Sequence, residues 1–329
     1  MSDLAAIDDS SGLQKPAVEA PPLLTSAQVA DAAGVTLEQV RRLWRALGFP
    51  DSGEGAAYTA ADLEALLLVS RTVGSGALDL ETATRLTRAL GNTMARLADW
   101  QVSTLAEHVD DRARSGDGAR PASTLSTAQS VAPAFEELLV YAWRRHLSAA
   151  MSRMESVGGA QEELLTADLT VGFADLVGFT ELTNRLDDDD LANMVESFES
   201  RCSDLITASG GRAVKTLGDS VLFVAEDPQA AVAIALDIVE ELGPDSSLPD
   251  VRVGLASGTV ITRLGDVYGP PVNLAARLTT VARRNRVITD HITAAGLSTD
   301  TYETRPLTAR PLRGLGVVEP VTVRRRWSF

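Results

Sequence analysis

The stretch GRAVKTLGDSVLFVAE, residues 211–226, decides how the second half of the chain is read. Apolar and β-branched residues flank Gly218–Asp219, so two short strands joined by a tight turn at that dipeptide are predicted. The stretch also holds Lys215, one of two lysines; the other is Lys15, and 28 arginines carry the rest of the positive charge. A chain that uses Arg almost everywhere keeps a compact ammonium here, four residues before Asp219.

Outward from this hairpin, strands and helices alternate. LTVGFADLVG (169–178) reads as a strand, and 189–208 as a helix whose inner face is Leu191, Met194, Val195, Phe198, Cys202, Leu205 and Ile206. A helix at 227–242, a strand at 251–261, a helix at 271–284 and a strand at 287–289 follow. LRGLGVVEPVTVRRRW (312–327) reads as a hairpin. The pattern is α+β, built on a βαββαβ, ferredoxin-like core.

The N-terminal part is different. Residues 1–22 lack periodicity and read as a mobile tail. Between Leu23 and Leu68 the order is helix, Gly34 turn, helix, then a third helix in YTAADLEALL, with Thr25 or Ser26, Thr36 and Thr59 as caps. A longer amphipathic helix is predicted over 79–108, its stripe made of Leu80, Ala83, Leu86, Leu90, Met94 and Leu97. Residues 110–131 read as a loop, and 133–155 as a connecting helix with Phe135, Leu138, Leu139, Ala142, Trp143, Leu147 and Ala150 on one stripe. SVGGAQ opens a hinge at 156–164. The expected organisation is therefore a helical domain over 23–155 and an α+β domain over 165–329.

Composition narrows the function. At 329 residues the chain can build two cores. A net charge of −15 argues against a general polyanion binder, although a nucleotide can bind through metal ions. Cys202 is the only cysteine, so no intramolecular disulfide can form. No apolar run approaches the roughly 18 residues of a membrane span. The chain reads as cytoplasmic.

Three elements carry chemistry. Asp175 ends a strand and Asp219 sits in the hairpin turn; two carboxylates at strand ends suit divalent ions that also bind substrate phosphates. Val177, Gly178, Phe179 and Thr180 lead into a helix whose backbone N–H groups could cradle phosphate. Asp266, Asn273 and Arg277 form the third element; Asn273 and Arg277, at i and i+4, share a helix face. Taken singly, each has a plain structural alternative: a turn Asp, a helix-capping Asp, a solvated Asn/Arg pair.

Together, FADLVGFT, KTLGDSV and GDVYGPPVNLAAR resemble, in order and spacing, the signature of class III nucleotidyl cyclases. The resemblance covers about 165–329. It implies two subunits packed head-to-tail as a homodimer, with each site shared between them and two Mg²⁺ or Mn²⁺ ions as cofactors. By resemblance, Asp175 and Asp219 hold the metals, and Lys215 with Asp266 reads the base. Asn273 orients the ribose, Arg277 stabilises the transition state, and Gly178, Phe179 and Thr180 line the substrate. Adenine offers an acceptor at N1 and a donor at N6, which an ammonium and a carboxylate match; guanine offers the reverse pattern. ATP is therefore the expected substrate, because mispaired buried groups discriminate strongly.

One departure concerns the arm: only Ile261–Leu264 separate SGTV from Gly265–Asp266, whereas many family members are longer there. Arg313 is a candidate for the triphosphate, and equally a structural Arg. The overall arrangement, with RLWRALGFP and LLVYAWRRHLSAAMSRM, resembles soluble mycobacterial-type cyclases, in which a helical domain restrains the catalytic one and pH or a fatty acid shifts the balance. His146, bordering the apolar stripe of the connecting helix, is the candidate pH-responsive group.

Two other readings remain: a catalytically silent cyclase-fold module, and a DNA-binding regulator with a nucleotide sensor. The complete six-residue set argues against the first. Residues 23–68 resemble a MerR-like helix-turn-helix but hold six acids against three arginines, which opposes DNA binding.

Overall fold

The computed structural model describes residues 24–51, 53, 55–115, 123–156, 166–245, 247–263 and 265–326, of which 154–156 by their backbone. The tail 1–22 and nearly all of the hinge 156–164 lie outside the described residues. The chain divides into two compact units, Met1–Arg144 and Arg145–Phe329.

In the first unit, β1 (Leu24–Thr25) pairs with β2 (Ala56–Tyr58), a small sheet that sequence reading did not foresee. Helices α1 (Ser26–Ala33), α2 (Leu37–Ala46) and α3 (Ala60–Gly74) begin at Thr25, Thr36 and Thr59. Each Thr accepts from the backbone N–H three residues on, whose own side chain answers it: Gln28, Gln39 and Asp62. Gly34 ends α1 with φ of 63°, the left-handed turn the sequence implied. Val29, Val40, Leu43, Trp44, Tyr58 and Leu66 form the core.

The long helix α4 spans Leu80–Arg114; of the expected stripe Ala83 is buried and Leu80, Met94 and Leu97 are half-buried, but Leu86 and Leu90 turn outward. Ala83, Thr84, Thr87 and Gly91 are buried, whereas Leu86 and Leu90 are more than half exposed. The reason is close packing: a Cβ on Gly91 would lie 2.5 Å from the Leu47 carbonyl, so the end of α2 approaches where side chains are small. Helix α5 runs from Thr124 to Ser156, so the loop expected over 110–131 is shorter and the connecting helix starts earlier. Ser123 accepts from the Ser126 N–H and starts α5, and Pro133 lies within it. The predicted stripe of α5 is exposed at Phe135, Leu138, Trp143 and Leu147.

In the second unit the elements run β3 (Thr166–Leu176), α6 (Phe179–Leu182), α7 (Asp188–Ala208), β4 (Arg212–Thr216), β5 (Ser220–Ala225), α8 (Pro228–Leu242) and β6 (Val251–Arg263). Then come β7 (Asp266–Tyr268), α9 (Pro270–Val281), β8 (Arg286–Thr289), α10 (His291–Ala295), β9 (Tyr302–Pro306), β10 (Arg310–Leu312), β11 (Gly316–Val318) and β12 (Val321–Arg325). The sheet order β4-β5-β3-β6 realises the expected βαββαβ core; β8, β12 and β9 extend it beyond β6, and β7 pairs with β6. The expected C-terminal hairpin is split: β10 and β11 pair with each other, while β12 joins the main sheet between β8 and β9.

Strand alternation gives the sheet two buried faces. Ala174, Leu176, Val221, Phe223, Val253 and Leu255 meet Phe198 of α7 and Ile234 of α8. Val171, Leu222, Val224 and Ala256 meet Ala275 of α9 on the other face. Gly254 allows α9 to sit close, because a Cβ there would overlap the Thr279 backbone nitrogen. Asp175, two residues from Phe173 on β3, shares the α9 face.

Candidate active site

The hairpin between β4 and β5 builds the centre of the site. Gly218 has φ of 72°, and the Leu217 N–H donates to Ser220 O at 2.7 Å, closing the turn. The Leu176 N–H donates to Asp219 O at 2.9 Å, which sets Asp219 beside the end of β3 and Asp175. Burial first, and the neighbouring Asp175 charge second, push the Asp219 carboxyl above its usual pKa. Oxygen ligands of this kind suit a hard divalent cation. No group of three or more metal-ligating side chains gathers among the described residues, so an ion here would draw on two carboxylates and substrate oxygens.

Lys215 and Asp266, remote in sequence, meet where β4 approaches β7. Lys215 Nζ donates to Asp266 Oδ2 at 2.5 Å, and the Val267 N–H donates to Asp266 Oδ1 at 2.8 Å. Burial opposes the Asp266 charge, but the Lys215 hydrogen bond, the Val267 N–H and the ammonium charge outweigh it and hold the carboxyl below its usual pKa. Next to the short arm Arg263 stands opposite Asp266, and Gly265 takes φ of 81°. Ile261 pairs in register with Tyr268, and both are exposed, as is Leu217 at the tip of the neighbouring hairpin.

Asn273 and Arg277 lie exposed on α9. Gly178 takes φ of 78° before α6, and no side chain caps that helix start. The structure thus brings together Asp175 with Asp219, and Lys215 with Asp266; no described hydrogen bond or ion pair joins the two sets. Arg313 stands exposed in the β10–β11 turn, and His146 is exposed on α5; no described contact links either to these sets.

Sequence reading missed Arg252 and Ser220. Arg252 Nε and Nη2 lie 2.8 and 2.6 Å from Asp175 Oδ2, and Ser220 Oγ donates to Asp175 Oδ1 at 2.5 Å. The available signal was an Arg inside VRVGLASG (251–258), an otherwise apolar strand.

The family model of the adenylate and guanylate cyclase catalytic domain matches residues 161–324. A Streptomyces coelicolor adenylate cyclase is 41% identical, the alignment covering 92% of this chain and 86% of that protein. The chain belongs to the class III adenylate and guanylate cyclase family. A Glutamicibacter nicotianae adenylate cyclase is also 41% identical to this cyclase, over 89% of this chain and 76% of that one. A "pH-sensitive adenylate cyclase" of Mycobacterium tuberculosis is 30% identical, over 80% of this chain and 68% of that one. Among the described residues, no helix of the cyclase is long and apolar enough to cross a membrane.

Proposed function

We propose that the chain is an adenylate cyclase, converting ATP to 3′,5′-cyclic AMP and pyrophosphate as a homodimer. The observation that carries this reading is the Lys215–Asp266 pair. Its donor and acceptor sit 2.5 Å apart, a spacing suited to adjacent atoms on one edge of a base. The ammonium would donate to adenine N1 and the carboxylate would accept from the N6 amino group. Guanine would set donor against donor and acceptor against acceptor.

Asp175 and Asp219 would hold divalent metal, which supplies Lewis-acid activation of the ribose 3′-hydroxyl and neutralises phosphate charge. The 3′-oxygen attacks the α-phosphorus in line, the bond to the β-phosphate oxygen breaks, and the hydroxyl proton leaves to solvent as pyrophosphate departs. Asn273 would hold the ribose so that this oxygen faces phosphorus. Arg277 would meet the charge building on the transferring phosphoryl group. Gly178, Phe179 and Thr180 would offer backbone donors to the phosphates.

Two separate residue sets within one chain are what a shared site needs: a second copy would complete each. The exposed Leu217, Ile261 and Tyr268 beside the base-reading pair support such an interface. Regulation by the helical unit belongs to the same proposal, supported by the relative named pH-sensitive. Purified protein with Mg²⁺ or Mn²⁺ should form cyclic AMP from ATP and far less cyclic GMP from GTP; no product from either over a range of pH removes the enzyme reading. His146→Gln should flatten the activity profile between mildly acidic and neutral pH. An unchanged profile removes His146 from regulation.

A further inference from the structure

We propose that Arg252 is a positioning residue that contests the metal carboxylate, setting how tightly a divalent ion binds at Asp175 and linking that event to α9. The inference rests on the proposed role of Asp175 as a metal ligand.

Arg252 on β6 stands directly opposite Asp175 on β3 in the ladder. Two of its nitrogens address one oxygen, with Nε at 2.8 Å and Nη2 at 2.6 Å from Asp175 Oδ2. Ser220 Oγ holds the other oxygen at 2.5 Å. Oδ2 thus has two donors and Oδ1 one, so a divalent ion that takes Oδ2 has to displace the guanidinium. Neither partner is well solvated: the Asp175 side chain is 15% exposed and the Arg252 side chain 25%. A charge in such a place needs compensation, and Arg252 supplies it for two neighbouring carboxylates at once, since it also lowers the pKa of Asp219.

The third nitrogen reaches elsewhere. Arg252 Nη1 donates to Thr280 O at 3.2 Å, in the last turn of α9. That end of a helix carries partial negative charge, which favours a cation. Thr280 Oγ1 in turn donates to Arg277 O at 2.8 Å. The guanidinium thus spans from the carboxylate to the helix that carries Asn273 and Arg277. When an ion takes Oδ2, Arg252 keeps its α9 anchor and loses its β3 anchor, so occupancy at Asp175 is felt at the α9 turn next to Arg277.

The test is Mn²⁺ binding to the full chain without nucleotide, followed by electron paramagnetic resonance. Arg252→Gln should bind Mn²⁺ about tenfold more tightly than the wild type, because a competing cation is gone. Arg252→Lys keeps the charge but loses the two-pronged grip, and should tighten binding by less. A purely structural role for Arg252 predicts weaker binding instead. Asp175→Asn should lose the Mn²⁺ site. If Asp175→Asn loses it while Arg252→Gln is unchanged or weaker, the contest is overturned and the metal reading stands. Wild-type affinity in Arg252→Lys with tightening in Arg252→Gln would reduce the effect to charge at a distance and overturn the direct contest. Wild-type Mn²⁺ affinity in Asp175→Asn would overturn both readings. Should Arg252→Gln fail to fold, Arg252→Lys carries the test alone.

Discussion

The two units bury their apolar side chains very differently. Around the α+β sheet, both faces are filled, by α7 and α8 on one side and α9 on the other. In the helical unit the first three helices close a small core, while α4 and α5 leave Leu86, Leu90, Trp100, Phe135 and Trp143 exposed. Dense packing is found around the proposed reacting groups, which would have to be held within fractions of an ångström, and is relaxed where no chemistry is proposed. The proposed chemistry sits wholly in the packed unit.

Mutations can break this division. The largest effect is expected at Asp175: Asp175→Asn should cut cyclic AMP formation by about a thousandfold or more while the protein still folds, judged by circular dichroism. Next comes base choice. Lys215→Glu should lower kcat/KM for ATP by about a hundredfold and raise the ratio of GTP to ATP turnover. An unchanged ratio would remove the base-reading role.

A matched pair of glycines sharpens the comparison. Gly254→Ala and Gly91→Ala both force a Cβ into backbone, and each should cost about 1–3 kcal/mol in denaturant unfolding. Gly254→Ala should also depress kcat, because it displaces α9 with Asn273 and Arg277. Gly91→Ala should leave kcat much nearer the wild type. Equal losses of kcat would mean that the units are not functionally distinct in the way their packing suggests.

The smallest effect is electrostatic. Hydrogen bonds from the Ser247 hydroxyl and N–H, then Arg201, hold the Asp245 carboxyl down at about 2. A depressed acid contributes stability above its unfolded pKa of about 3.9, and that contribution disappears as pH falls through the folded value. The melting temperature gap between wild type and Asp245→Asn should therefore narrow between about pH 4 and pH 2. A constant gap would assign the loss to packing.

Much of this was legible in the chain. Thr25, Thr36 and Thr59 announced their helices because capping is local, and the Gly218–Asp219 turn announced its hairpin for the same reason. The buried face of α4 was legible only in part: Leu80, Ala83, Met94 and Leu97 turn inward, Leu86 and Leu90 do not. Its register is set by the approach of α2 to Gly91, a tertiary fact that overrides the leucine spacing. Arg252 was missed because its meaning depends on the β3–β6 register, which no local pattern encodes. Lys215 and Asp266 were paired only through family resemblance; their contact spans 51 residues.

The central claim is that one chain supplies Asp175 and Asp219 while a second supplies Lys215, Asp266, Asn273 and Arg277. Mixing Asp175→Asn chains with Arg277→Ala chains tests it most directly. Half of randomly assorted dimers would be mixed, each with one intact site of two, so cyclic AMP formation should recover to about a quarter of wild type. A mixture as inactive as its components would contradict shared sites.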